Sequence, residues 1–209
     1  MTKVIFVRHG QTKWNLVGKY QGQSDIELTD LGRHQAELLA KNFPSEKLDA
    51  IYSSDLSRAM ETANIVGKRF GLVANPEPAF REIHFGVWEG MTYEEISRHW
   101  PDAIQLFFKH PDELDIPKGE SFQDVQARAT HRLAEIVANN PSSVIAVFAH
   151  GAVLRTILAA ALHIPIKYIW SMRQDNTAVS IVSYDDDCTI VSLLNSTAHL
   201  GKERPISKI

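Results

Sequence analysis

Arg8 and His9 stand together directly after the apolar run Val4 to Val7, and Gly10 follows at once. A guanidinium beside an imidazole at the end of a strand makes an anion site with a nucleophile in it. Gly10 lets the backbone come close to whatever His9 touches. Arg58 opens a helix just beyond a second apolar segment, Ala50 to Ser53. His150-Gly151 follows the strongest strand signal in the chain, residues 143–148. In an open α/β sheet the carboxyl ends of parallel strands share one edge, and ligands collect there. Two arginines and two histidines on that edge suit a phosphate, whose oxygens match the rigid guanidinium fork. Glu82 lies in an irregular segment nearby and is a candidate proton donor. Each group also has a plainer reading: a solvated strand end for Arg8 and His9, a surface ion pair for Arg58, a core imidazole for His150, a turn cap for Glu82.

The elements that must position these groups alternate. Residues 3–8 read as a strand. Residues 9–28 read as a long polar loop, of a length that is often functional. Thr29 or Asp30 caps a helix to about Phe43, with Leu31, Leu38 and Leu39 inward and Gly32 weakening it. Residues 50–53 are a strand. Ser54 or Asp55 then caps a helix to Phe70, where Leu56, Ala59, Ala63 and Val66 recur at helical spacing. Leu72 to Ala74 is read as a third strand. Residues 80–91 are irregular, and Thr92 to Glu95 form a capping box. Residues 101–120 hold three prolines and are read as a loosely packed, cap-like excursion, part of a wider one around 84–120. Ser121 to Asn139 is an amphipathic helix, 143–148 a strand and 151–162 a buried helix. Thr177–Tyr184 and Cys188–Leu194 flank Asp185-Asp186-Asp187 as a hairpin, and a loose tail begins near Gly201. Strand and helix alternation predicts one α/β domain over residues 1–209. Its form is a three-layer α/β/α sandwich, with a mostly parallel sheet and an antiparallel component from the hairpin.

Composition narrows the field. The chain has 209 residues, 44% hydrophobic and 22% charged, with a net charge of −3, so it has the makings of one core and no basic field for nucleic acid. Cys188 is the single cysteine. No intrachain disulfide can form, which points to a reducing, cytoplasmic compartment. The apolar stretch 144–162 has the length of a membrane span, but Arg155 near its middle opposes insertion. The sequence contains no phosphate-loop, dinucleotide, zincin or nucleophile-elbow motif.

Four segments, in order, resemble the signature of the histidine phosphatase superfamily, the phosphoglycerate-mutase-like proteins. They are Arg8-His9-Gly10-Gln11-Thr12 with Trp14-Asn15, then Ser53 to Ala63, then Arg81-Glu82-Ile83 with Gly86 and Trp88-Glu89-Gly90, and last Ala149-His150-Gly151. The resemblance implies a metal-independent phosphomonoesterase without cofactor, acting on a small phosphorylated substrate. His9 would form a phosphohistidine, and Glu82 would protonate the leaving alcohol and then activate water. Arg8, Arg58 and His150 would bind the phosphoryl oxygens, with Asn15, Gln21, Gly22 and Gly151 lining the pocket. The third segment resembles that of broad-specificity and α-ribazole phosphatases, and of fructose 2,6-bisphosphatase domains. The alternatives are a cofactor-dependent phosphoglycerate mutase and a non-catalytic phospho-ligand module. Residues 86–97 lack the Lys that mutases carry there, and His9 and Glu82 are both present, so phosphatase is favoured. His84, His99, His110 and His131 are read as surface residues and Trp88 as packing. Tyr93, Trp100, Phe107 and Phe108 are read as either core or substrate lining.

Overall fold

The structure is a computed structural model that describes residues 1–185 and 188–203. Most of the expected Asp185-Asp186-Asp187 turn, and the tail beyond 203, lie outside the described residues. In chain order the elements are β1 (Thr2–Arg8), α1 (Lys13–Val17), α2 (Asp30–Lys41), β2 (Ala50–Ser53), α3 (Ser57–Phe70), β3 (Asn75–Pro76), α4 (Tyr93–His99), α5 (Pro101–Lys109), α6 (Phe122–Asn139), β4 (Val144–Ala149), α7 (Gly151–Ala161), β5 (Val179–Tyr184) and β6 (Thr189–Ser196).

The strands form one sheet in the order β3-β2-β4-β1-β5-β6. β1, β2, β3 and β4 run parallel, and β5 and β6 are antiparallel to their neighbours. Successive side chains of a strand face opposite ways, and β1 shows why its run is apolar throughout. Val4 and Phe6 pack with Val125, Leu133 and Ile136 of α6 and Ile157 of α7. Ile5 and Val7 pack with Leu39 of α2 and Ala63 and Val66 of α3. Both faces are covered, as in parallel sheets generally, and the three-layer α/β/α arrangement follows. β1, β2 and β4 all end on one edge, which sets Arg8, Ser53 and Ala149 side by side.

The structure corrects several local expectations. Leu31 is exposed, because the Thr29 cap turns Gly32, Gln35, Ala36 and Leu39 inward. Gly32 is needed where it is: a Cβ there would lie 2.2 Å from the carbonyl oxygen of Gln11, and one on Gly10 would lie 2.4 Å from that of Gly32. The two glycines let the loop after β1 press onto α2, so Gly10 serves helix contact. The third strand is Asn75–Pro76, not Leu72–Ala74. Gly71 is left-handed and Leu72 N–H bonds back to Gly67 O, so residues 71–72 still belong to the end of α3. The loop 9–28 contains α1, closed by a Thr12–Asn15 capping box. Residues 101–109 are helical, since Pro101 sits at the start of α5 where its missing N–H costs nothing. Ile104, Phe107, Leu114 and Ile116 of the 101–120 segment are buried in the core with residues of α6, while most of its polar residues stay exposed.

Candidate active site

The end of β1 stays in the sheet as far as His9, whose N–H donates to Ala149 O at 3.0 Å. The His9 ring is 2% exposed. Its Nδ1 lies 2.7 Å from Gly10 O, and a carbonyl can only accept, so Nδ1 carries the proton and Nε2 keeps the lone pair. Burial pushes this imidazole well below its ordinary pKa, and the charges of Arg58 and Arg8 push the same way. His9 is therefore a neutral ring with a free nitrogen, the form a nucleophile requires.

Arg58, in the first turn of α3, is fully buried. Nη2 donates to Gly22 O at 2.7 Å, Nη1 to Ser24 O at 2.8 Å and Nε to His150 Nδ1 at 3.1 Å. Burial draws the guanidinium down to about 10. Three of its five N–H groups serve the protein, which leaves one hydrogen on each terminal nitrogen for a ligand. Arg58 thus orders the 22–24 loop and His150 as well as supplying charge. His150 closes the arrangement with Nε2 at 2.7 Å from Ser54 Oγ and its ring 5.1 Å from that of His9. Arg8 gives Nη1 to Gln174 O, while its buried Nε has no protein partner. Gly151 lies against that guanidinium.

Glu82 occupies the amino end of α7. Its carboxylate accepts from Ile83 N–H at 3.0 Å, Ala152 N–H at 3.1 Å and Val153 N–H at 3.1 Å. The positive end of a helix is a natural seat for an acid. Behind it, Arg128 donates to Glu82 O at 3.2 Å and pairs with Glu120 at 2.9 and 3.0 Å. Arg8, His9, Arg58, Glu82 and His150 come together. Asn15 and Gln21 stand beside them in a supporting place: both side-chain oxygens face Thr12, at 3.0 Å from its N–H and 2.8 Å from its Oγ1 respectively.

Sequence reading passed over several partners. Asn176 donates to His9 O at 3.0 Å, and Thr62 Oγ1 accepts from Gly10 N–H at 3.1 Å. Thr62 lies within the quoted segment without a role, and Asn176 carries no local signal; the expected cap at Ser54 or Asp55 does not form, since α3 begins at Ser57 with no side-chain cap and Ser54 serves His150. Trp88 is fully buried, as expected, and Phe107 belongs to the core, ringed by Tyr20, Phe85 and Trp170. His99 and His131 are exposed, whereas His84 and His110 are half-buried beside Glu89 and Glu113.

A neutral imidazole beside two guanidiniums, themselves close to the Glu82 carboxylate, is an arrangement able to hold a phosphoryl group at the carboxyl edge of an α/β sheet. The chain belongs to the histidine phosphatase superfamily (branch 1), whose family model matches residues 4–197, and it is a phosphoric monoester hydrolase. It is 33% identical over 202 residues to phosphoserine phosphatase 1 of Hydrogenobacter thermophilus, covering 97% of this chain and 96% of that one. Among solved structures it is similar to Bacillus stearothermophilus YhfR, with TM-score 0.91 and 35% identity over 96% of this chain and 100% of that one. It is also similar to a mutant phosphoserine phosphatase of Entamoeba histolytica in complex with phosphoserine, with TM-score 0.86 and 31% identity over 96% and 100% of the two chains.

Proposed function

We propose that this enzyme hydrolyses small phosphomonoesters that carry a carboxylate close to the ester, with His9 as nucleophile and Glu82 as acid and base. His9 Nε2 attacks phosphorus, the P–O ester bond breaks, and Glu82 gives its proton to the departing alcohol. Glu82 then takes a proton from water, which attacks phosphorus and breaks the P–N bond, releasing phosphate and the free imidazole. Arg8 and Arg58 stabilise the charge that spreads over the transferring oxygens, with His150 beside them. Asn15 and Gln21 steady the loop, Gly22 gives its carbonyl to Arg58, and Gly151 leaves room beside Arg8. The single observation that carries this reading is the His9–Gly10 bond, which leaves Nε2 unprotonated inside a cage of two guanidiniums.

The substrate class is supported by relatives whose names specify phosphoserine and glucosyl-3-phosphoglycerate. Hydrolysis over mutase chemistry is supported by residues 86–97, which contain no Lys or Arg to hold a second phosphate. The test is turnover of an aryl phosphate in excess chelator by wild type and His9→Ala, followed by phosphoserine and 3-phosphoglycerate. Loss of turnover in the variant, with a carboxylated ester preferred by wild type, is the expected result. Turnover that survives in His9→Ala would sink the phosphohistidine route.

A further inference from the structure

Thr177 is a β-branched residue held at φ +55°, a conformation such residues rarely adopt, and it is fully buried. Up to Ala178 the β1–β5 ladder is regular, with Arg8 N–H donating to Ala178 O at 3.2 Å. The left-handed turn at Thr177 ends the ladder and swings residues 172–176 back across the end of β1. Thr177 N–H then lies 3.0 Å from Arg8 O and 3.3 Å from His9 O. Asn176 Nδ2 reaches His9 O at 3.0 Å and Asn15 Oδ1 at 3.3 Å. Gln174 O receives Arg8 Nη1.

This strap is itself tied down from three sides. Arg155 Nε donates to Met172 O at 2.7 Å. Asn195, also left-handed at φ +49°, holds Asp175 through its N–H at 2.7 Å and its carboxylate at 2.9 Å. His199 Nε2 meets Thr177 Oγ1 at 3.0 Å. Backbone strain persists only where the surroundings over-determine it, and it concentrates at working sites. Here the strained turn has one evident product: two donors aimed at the carbonyls of the Arg8–His9 segment.

We infer that Asn176, presented by the strained turn at Thr177, is a positioning residue for the His9 nucleophile. The inference rests on the proposed role of His9. Asn176 fixes the His9 carbonyl, and hence the ring, while bracing the loop through Asn15. A displacement on the order of 1 Å at a reacting group can cost about 100-fold in rate.

The experiment compares Asn176→Ala and Asn176→Asp with wild type in kcat, KM, inhibition by inorganic phosphate, melting temperature and the nitrogen NMR shifts of the His9 ring. Asn176→Ala should lower kcat about 10- to 100-fold while phosphate inhibition stays within about threefold and melting within a few degrees. Asn176→Asp, nearly isosteric, should be worse than Ala, because it sets a carboxylate against two carbonyl oxygens. The ring should show one Nδ1–H form in wild type and averaged shifts in both variants. Turnover within about twofold of wild type, an Asp variant better than Ala, or unchanged ring shifts would overturn the inference. So would a loss shared equally by turnover, phosphate binding and melting temperature. The ring shifts need no turnover, so a wild type inactive in chelator would count against the phosphatase reading and still leave Asn176 tested.

Discussion

Arg58 donates through Nε to Nδ1 of His150 at 3.1 Å, and that bond decides what His150 can do. With Nδ1 as acceptor, the ring proton sits on Nε2, where Ser54 Oγ lies 2.7 Å away. Protonating Nδ1 would turn it against a guanidinium. His150 is held neutral by its partner as well as by burial, and so is His9, whose ring faces the same charges.

This sets a pH dependence. Both imidazoles lie well below 6.5, through burial first and then Arg58, so both remain neutral as the pH falls through that value. After correction for the substrate's own ionisation near 6, kcat/KM should hold down to about pH 5.5. An enzyme-derived midpoint near 6.5 would show His9 to be an ordinary imidazole. The effect on stability has the same origin. Below about 6.5 the unfolded chain binds protons that the folded rings refuse, so their contribution is complete above 6.5 and declines as the pH falls. Urea midpoints at about pH 7.5 and 5.5 would check it; equal midpoints would contradict it.

Arg58→Ala should cost both turnover and fold. It strands Gly22 O, Ser24 O and His150 Nδ1, each about 1–3 kcal/mol when buried and unpaired. Activity should fall at least about 100-fold, the range seen when one charge-stabilising donor is removed. Melting should fall by about 6 °C or more. Arg58→Lys should rescue little, since one ammonium cannot span three acceptors. Calorimetry with steady-state kinetics tests both; a Lys variant near wild type would refute the three-point role.

Glu82→Gln keeps the shape that accepts from Ala152 and Val153 but has no proton to give. Hydrolysis of an alkyl phosphate should drop about 100- to 10,000-fold, and that of a nitrophenyl phosphate far less, because its leaving group departs without help. Equal losses on the two substrates would remove Glu82 as the acid.

Gly22→Ala should disturb the site from a distance. The new Cβ would lie 2.1 Å from Glu89 Oε1, at a residue with φ +55°. Glu89 holds the N–H groups of Gln23 and Ser24, both at 2.9 Å, and the Gly22 and Ser24 carbonyls hold Arg58. A stability loss of about 1–2 kcal/mol and weaker phosphate inhibition are expected. Phosphate inhibition identical to wild type would show that the 22–24 loop does not order Arg58.

Much of this was legible in the chain because the physics was local. The unbroken apolar run of β1 announced a strand covered on both faces, and parallel topology then placed Arg8, His9 and His150 on one edge with Arg58 beside them. Misreadings came where contacts between distant residues decide the structure. Pro101 looks like a loop marker until it is seen to begin a helix, and Gly32 looks like a weak point until Gln11 is found against it. Thr177 reads as the start of a strand, with Asn176 just ahead of it. Nothing near them in sequence tells a threonine to turn left-handed; Arg8, His9 and His199 do that from across the fold.

The placing of β1 between β4 and β5 bears on how the enzyme is born. β1, which leads to His9, is made well before both strands that flank it, residues 144–149 and 179–184. At a synthesis rate of about 5–20 residues per second, Val4 to Val7 must wait on the order of ten seconds for a partner. Such distant pairing makes folding slow, and it leaves a short, sticky segment exposed while the chain between is made. The order that gives His9 two rigid neighbours therefore leaves Val4 to Val7 an unpaired apolar segment that a chaperone would shield until those strands exist.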